Sequence, residues 1–296
     1  MSSIEKAVER LRGIRNGSRT ADPTPRREEL SPATSPKRMP HTRDVDATNA
    51  NCHIDLERLE RQGFITPLSQ RRTSVKELQL LKRPVIKNAF GKGASVIDKG
   101  NLVMITSAIP GEGKTFLALN LAMSIAMERD TTVLLIDSDV IKPALSQLLA
   151  LEAEPGLTDL LLDPNRSVGD VIKSTNIDKL SVIPAGRRYV HSAELLASDE
   201  MHRLAVELAE RYPNRIVIFD APPQLATAEA SVLAQWVGQI LVVVEEGRTP
   251  QRAVKVALSH LDSQKVVGMV LNKSRGSFSH GYGYGYGYGD GYGEQK

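Results

Sequence analysis

The segment Leu102–Ala126 reads in immediate succession as a strand, LVMIT, a glycine-bearing loop, SAIPGEGKT, and a helix, FLALNLAMSIA. No other feature constrains the fold as tightly, because this is the context a phosphate-binding loop requires. Gly111 and Gly113 let the backbone approach closely enough for its N–H groups to cradle phosphate. The helix N-terminus adds the positive end of its dipole. Lys114 is placed to reach the β- and γ-phosphates, and Thr115 to offer its hydroxyl to Mg²⁺. The motif from Ala108 to Thr115 departs from the usual pattern only at its first position, where alanine replaces glycine; Pro110 beside Gly111 can supply the tight turn. Binding of ATP with Mg²⁺ is expected through Pro110, Gly111, Glu112, Gly113, Lys114, Thr115 and Phe116.

From Asn101 onward, short β-branched runs alternate with helical ones. The predicted strands are Leu102–Thr106, Thr132–Ile136, Leu180–Ile183, Ile216–Phe219, Ile240–Val244 and Val266–Leu271. Several are continuous apolar runs, as parallel strands covered on both faces require. Helices are expected over Thr115–Met127, Glu200–Glu210, Glu229–Val237 and Gln251–Leu261. The alternation predicts an α/β fold with a doubly wound, mainly parallel sheet and ligands at the strands' carboxyl ends. Two of those ends carry aspartate: LLIDSD supplies Asp137 and Asp139, and IVIFDAPP supplies Asp220. With Thr115 these carboxylates can hold Mg²⁺ or its waters, and one can accept a proton from an attacking hydroxyl. A lone strand-end aspartate is commonly a cap; three beside a phosphate loop point to chemistry.

Charge is divided unevenly. Residues 1–100 hold 20 Lys+Arg against 12 Asp+Glu, and the remainder holds 18 against 23, so a basic arm precedes a slightly acidic body. Such an arm suits nucleic acid, an anionic surface or an acidic partner, or is simply solvated. No recognition helix or aromatic stacking platform accompanies it, so nucleic acid is not expected. Ile4, Val8, Leu11 and Ile14 share a helical face, which predicts a short amphipathic helix within residues 1–16. A proline-rich, basic linker is expected over 17–70, the phosphate-loop domain over 71–276, and a disordered Gly/Tyr tail over 277–296. The single cysteine, Cys52, excludes an internal disulfide and a cysteine zinc cluster. The charged N-terminus lacks a leader's apolar core, and the longest apolar run, Phe116 to Met127, is shorter than the ~20 residues a membrane span needs. A cytoplasmic chain is therefore expected.

Five of the seven tyrosines, Tyr282, Tyr284, Tyr286, Tyr288 and Tyr292, lie in the tail. Their hydroxyls are accessible acceptors for phosphoryl transfer, and each phosphate adds ~1.5–2 negative charges. Taken with PGEGKT, LLIDSD and IVIFDAPP, this cluster resembles the bacterial tyrosine kinases over residues 76–296, in particular the cytoplasmic autokinases of exopolysaccharide and capsule loci. The resemblance implies a P-loop fold of the MinD/ParA-like type and an ATP-dependent protein-tyrosine kinase that autophosphorylates its tail on a neighbouring subunit. It implies Lys114, Asp137, Asp139 and Asp220 as catalytic residues, with Asp137 as proton acceptor and Asn272 at the adenine. It also implies a homo-oligomer, a membrane chain-length-determinant (polysaccharide co-polymerase) protein as activator that holds the kinase at the inner membrane, and a protein-tyrosine phosphatase.

Two positions depart from the family pattern. An arginine usual after the second aspartate is here Ile141, followed by Lys142, a point charge without the planar fork of arginine. The subunit-joining helix, Glu-x-x-Arg-x-x-Arg in the family, keeps Glu77 and Arg83 but carries Leu80 between them. Rival readings are a ParA/MinD-type ATPase switch and a catalytically weak nucleotide-binding scaffold. The switch proteins carry an early lysine in the loop, where this chain has Ile109 and Pro110.

Overall fold

The computed structural model describes residues 52–69, 73–91 and 97–274. The predicted N-terminal helix, most of the linker and the tyrosine tail lie outside the described residues.

Two helices come first, α1 (Leu56–Arg61) and α2 (Thr73–Phe90). The phosphate-loop unit follows as β1 (Leu102–Ser107), α3 (Lys114–Ala126) and β2 (Thr132–Asp137). Three short helices, α4 (Ala144–Leu148), α5 (Leu157–Leu162) and α6 (Val168–Val171), lead to β3 (Lys173–Ser174) and β4 (Leu180–Ile183). Then come α7 (Ser192–Leu196), α8 (Asp199–Glu210), β5 (Arg215–Asp220) and α9 (Glu229–Leu233). The described chain closes with β6 (Gln239–Glu245), α10 (Gln251–Ser259) and β7 (Val266–Asn272).

The strands form one sheet in the order β3-β4-β2-β5-β1-β6-β7, parallel except for β3, which runs antiparallel to β4. All six predicted strands are present, most lengthened by a residue at one or both ends. The chain order reverses around β1, so the loop after β1 opens at a topological switch point, where doubly wound sheets bind ligands. The sheet's two faces divide the core. Val103 and Ile105 of β1 share one cluster with Leu117, Ala118 and Leu121 of α3, while Leu102 and Met104 share the other with Met201 and Leu204 of α8. That period of two, with both faces buried, explains the unbroken apolar runs.

Residues 52–69 require a correction to the predicted linker. Cys52 bridges to Thr175, and Cys52, Ile54, Leu59 and Phe64 are all buried in the core on the α3 side. Asp55 caps α1 by accepting from Arg58 N at 2.8 Å, as a helix N-terminus with unpaired donors demands. Asn120 of α3 accepts from Ile65 N at 2.7 Å. The folded domain therefore begins no later than Cys52, because this segment places its apolar side chains in the core cluster that holds α3. The predicted helix 229–237 is also shorter, ending at Leu233.

Candidate active site

The backbone of the phosphate loop accounts for its glycines. Gly111 and Gly113 hold φ of 89° and 97°, a left-handed region costly to other residues. A methyl group on Gly113 would run into Nδ2 of Asn272, and one on Gly111 would come within 3.1 Å of the Arg248 guanidinium. Ala108, in contrast, is absent from the left-handed residues and is fully buried. Glycine is not required there, so the departure at the first motif position leaves the loop's shape intact. Helix α3 begins at Lys114, with its N-terminus at the loop.

The aspartates converge on this loop. β2 and β5 are adjacent and in register, so Asp137 pairs directly with Asp220 at their carboxyl ends. Lys114 Nζ donates to Asp139 Oδ2 at 2.9 Å and lies 3.8 Å from Asp220 Oδ1. Asp137 Oδ2 accepts from Ser146 N and from its hydroxyl, each at 2.7 Å, and Asp137 Oδ1 accepts from Asp139 N at 3.3 Å. Asp139 Oδ1 accepts from Lys142 N at 3.0 Å. This places Lys142 beside the site through its backbone, while Ile141 is exposed.

Burial dominates the electrostatics. Desolvation, reinforced by Asp220, raises the Asp137 carboxyl to about 7 against the opposing Ser146 hydrogen bonds and Lys114. Burial likewise raises Asp220, with Lys114 opposing. Burial works against the Lys114 ammonium, but Asp220 and Asp139 outweigh it and hold its pKa above the usual lysine value. Such perturbed, mutually dependent buried groups are the pattern of a functional site.

Both carboxylate oxygens of Asp220 are buried without a hydrogen-bond partner. Lys114 Nζ lies 3.8 Å from one of them; a buried carboxylate with acceptor capacity left over is costly and suits a further cation. Among the described residues no group of three or more His, Cys, Asp or Glu forms a metal cage by itself. Magnesium does not need one, since it binds through one or two carboxylates, waters and substrate phosphates. Asp220, with Asp137 paired beside it, fits that mode.

Asn272, at the end of β7, donates Nδ2 to the Glu112 carbonyl at 2.8 Å. It flanks a cavity of about 890 Å³ shared by Gly113, Phe116, Leu81 and Val270. Glu77, Leu80 and Arg83 all lie exposed on α2, with Leu80 the most exposed apolar residue of that helix at 68%. Sequence reasoning missed Ser146, Lys273, Glu245 and Thr249. Lys273 Nζ donates to the Gly111 carbonyl at 2.7 Å and to Glu245 Oε2 at 3.0 Å. No motif spacing links these residues to the loop, although Lys273 directly follows Asn272. The tail tyrosines lie outside the described residues.

Comparisons with known proteins identify the family and the fold. Residues 101–260 match the family described as AAA domain. The tyrosine-protein kinase YwqD of Bacillus subtilis (strain 168) is 38% identical over 181 residues, covering 60% of this chain and 75% of that protein. The chain belongs to the bacterial tyrosine-protein kinases. The kinase domain of the Escherichia coli tyrosine kinase ETK superimposes with a TM-score of 0.58 at 25% identity, over 78% of this chain and 94% of that one. The succinoglycan biosynthesis transport protein ExoP of Rhizobium meliloti (strain 1021) is 36% identical over 181 residues, 60% of this chain. The chain spans only about a quarter of the length of such longer curated relatives, 22% in the case of ExoP. The family's P-loop fold implies nucleotide binding. No helix among the described residues is long and apolar enough to cross a membrane.

Proposed function

We propose that the protein is an ATP-dependent protein-tyrosine kinase that phosphorylates its own C-terminal tyrosines. The observation that carries this reading is the meeting of Lys114, Asp137 and Asp220 at the phosphate loop. Lys114 and the loop N–H groups bind and orient the triphosphate. Thr115, Asp137, Asp139 and Asp220 would hold Mg²⁺, which when bound neutralises phosphate charge. The tyrosine oxygen forms a bond to the γ-phosphorus as the bond to the β–γ bridging oxygen breaks, and ADP leaves. Asp137 takes the phenolic proton, the role the family resemblance gives it. Asp139 orients Lys114, while Asn272 and Phe116 flank the cavity suited to the adenine.

The tail's point of departure supports the same reading. β7 ends at Asn272, hydrogen-bonded to the phosphate loop, so the chain leaves the described domain beside the site. Tyr282 follows Ser274 by eight residues, a maximum reach of ~28 Å, and the acceptor site is that of a neighbouring subunit. The homo-oligomer assembles through α2, with Glu77 and Arg83 in the contact.

The likeness to ExoP, a succinoglycan biosynthesis transport protein, together with the sequence resemblance, supports a part in exopolysaccharide or capsule polymerisation and export. A membrane chain-length-determinant protein acts as activator and holds the cytoplasmic kinase at the inner membrane, and a protein-tyrosine phosphatase resets the tail. Incubation of purified protein with ATP and Mg²⁺, followed by phosphotyrosine detection, tests the proposal; Lys114→Met and a chain ending at Ser279 are expected to give none. Absence of phosphotyrosine from the intact chain, even with the activator's cytoplasmic segment present, refutes it.

A further inference from the structure

Glu112 stands between the two loop glycines yet is fully buried. Its Oε2 accepts from Ile109 N at 2.8 Å, closing the phosphate loop on itself. Its Oε1 accepts from the Thr249 hydroxyl and from Glu245 N, the latter at 3.4 Å. Thr249 immediately precedes Pro250, the N-cap of α10. The main chain of the loop is fastened to the neighbouring strand as well, through Asn272 to the Glu112 carbonyl and Lys273 to the Gly111 carbonyl. Lys273 holds a left-handed φ of 57°, a conformation a non-glycine residue keeps only where its surroundings enforce it.

A carboxylate in a phosphate loop is unfavourable if it faces the anionic ligand, and costly if buried without donors. Here three donors engage it, and its two oxygens are committed to the protein. We infer that Glu112 is a positioning residue: with Thr249 it latches the phosphate loop to the β6–α10 connection and preforms the cradle that receives the triphosphate. Such preorganisation lowers the cost of ordering the loop at the moment of binding. The inference rests on the loop binding MgATP.

A purely structural bond would lower thermal stability without moving nucleotide affinity, so both are measured. MgATP binding to the full chain is titrated at equilibrium for wild type, Glu112→Ala, Thr249→Val, Thr249→Ser and the Glu112→Ala/Thr249→Val double variant, each held well below its Tm. Glu112→Ala and Thr249→Val are expected to weaken binding roughly tenfold, the scale of one hydrogen bond to a charged group. Thr249→Ser, which keeps the hydroxyl, stays near wild type, and the double variant is no weaker than Glu112→Ala alone because the two residues act through one contact. Wild-type affinity in Thr249→Val, or losses that add in the double variant, overturns the inference. A wild-type chain that binds no MgATP refutes the nucleotide reading itself, a separate outcome.

Discussion

Phe64→Ala probes the part of the domain that composition conceals. Phe64 is 7% exposed, and its ring centroid lies 4.8 Å from that of Phe116, tilted by 43°. Phe116 directly follows Thr115, so the pair joins the N-terminal segment to the first turn of the helix that presents the phosphate loop. Truncating a buried phenylalanine costs about 3–5 kcal/mol, including the void left behind. Phe64 lies at the margin of the core rather than its centre, so about 3 kcal/mol is expected. For a domain of this size each kcal/mol moves the Tm by roughly 2–4 °C, giving a fall of roughly 6–12 °C. Leu68→Ala, at a residue 57% exposed in the same segment, should stay within about 0.5 kcal/mol of wild type. Thermal unfolding followed by circular dichroism, without nucleotide, reads both. If Phe64→Ala melts within about 2 °C of wild type on the scale set by that control, residues 52–69 are not integral to the domain and the reasoning fails.

Gly113→Ala places a methyl group against Asn272 Nδ2 at a φ of 97°. Left-handed strain of about 1–2 kcal/mol and a disturbed hydrogen bond should lower the Tm and sharply weaken MgATP binding. Ala108→Gly should leave MgATP affinity close to wild type in the same titration. Asp137 has a folded pKa raised from 3.8 to about 7, so between these values the native state binds more protons than the unfolded one. Its ionisation therefore subtracts stability as pH rises through that window. Asp137→Asn cannot ionise, so its Tm relative to wild type should rise from about pH 5 to about pH 8 in nucleotide-free, metal-free buffer; a pH-independent difference contradicts the assignment. Leu80→Arg restores the family's charged triplet on the exposed face of α2, and sedimentation velocity should show a larger assembly than wild type.

The central sheet is legible because burial on both faces leaves a direct mark in sequence. β1, β2, β5 and β6 are carried by unbroken apolar runs, and β4 is found at its predicted bounds. The two-residue antiparallel β3 leaves no such mark, because so short a strand has no period to read. Helix α2 contains Pro84 in its interior, a residue that ordinarily ends a helix. Residues 52–69 read as linker because charge and proline upstream outweigh the apolar positions Ile54, Leu59, Phe64 and Ile65. Lys114, Asp137, Asp139 and Asp220 can be found because motif and strand end coincide. Ser146, Thr249 and Lys273 reach the site from separate elements, and only the tertiary fold brings them there.

Tandem mass spectrometry of the full chain after incubation with MgATP separates a tyrosine autokinase from a nucleotide-driven switch. Phosphate is expected on Tyr282, Tyr284, Tyr286, Tyr288 or Tyr292, in wild type and not in Lys114→Met. A wild-type chain that binds and consumes MgATP yet carries no phosphate on any of these tyrosines, with the activator's cytoplasmic segment supplied, would contradict the autokinase reading.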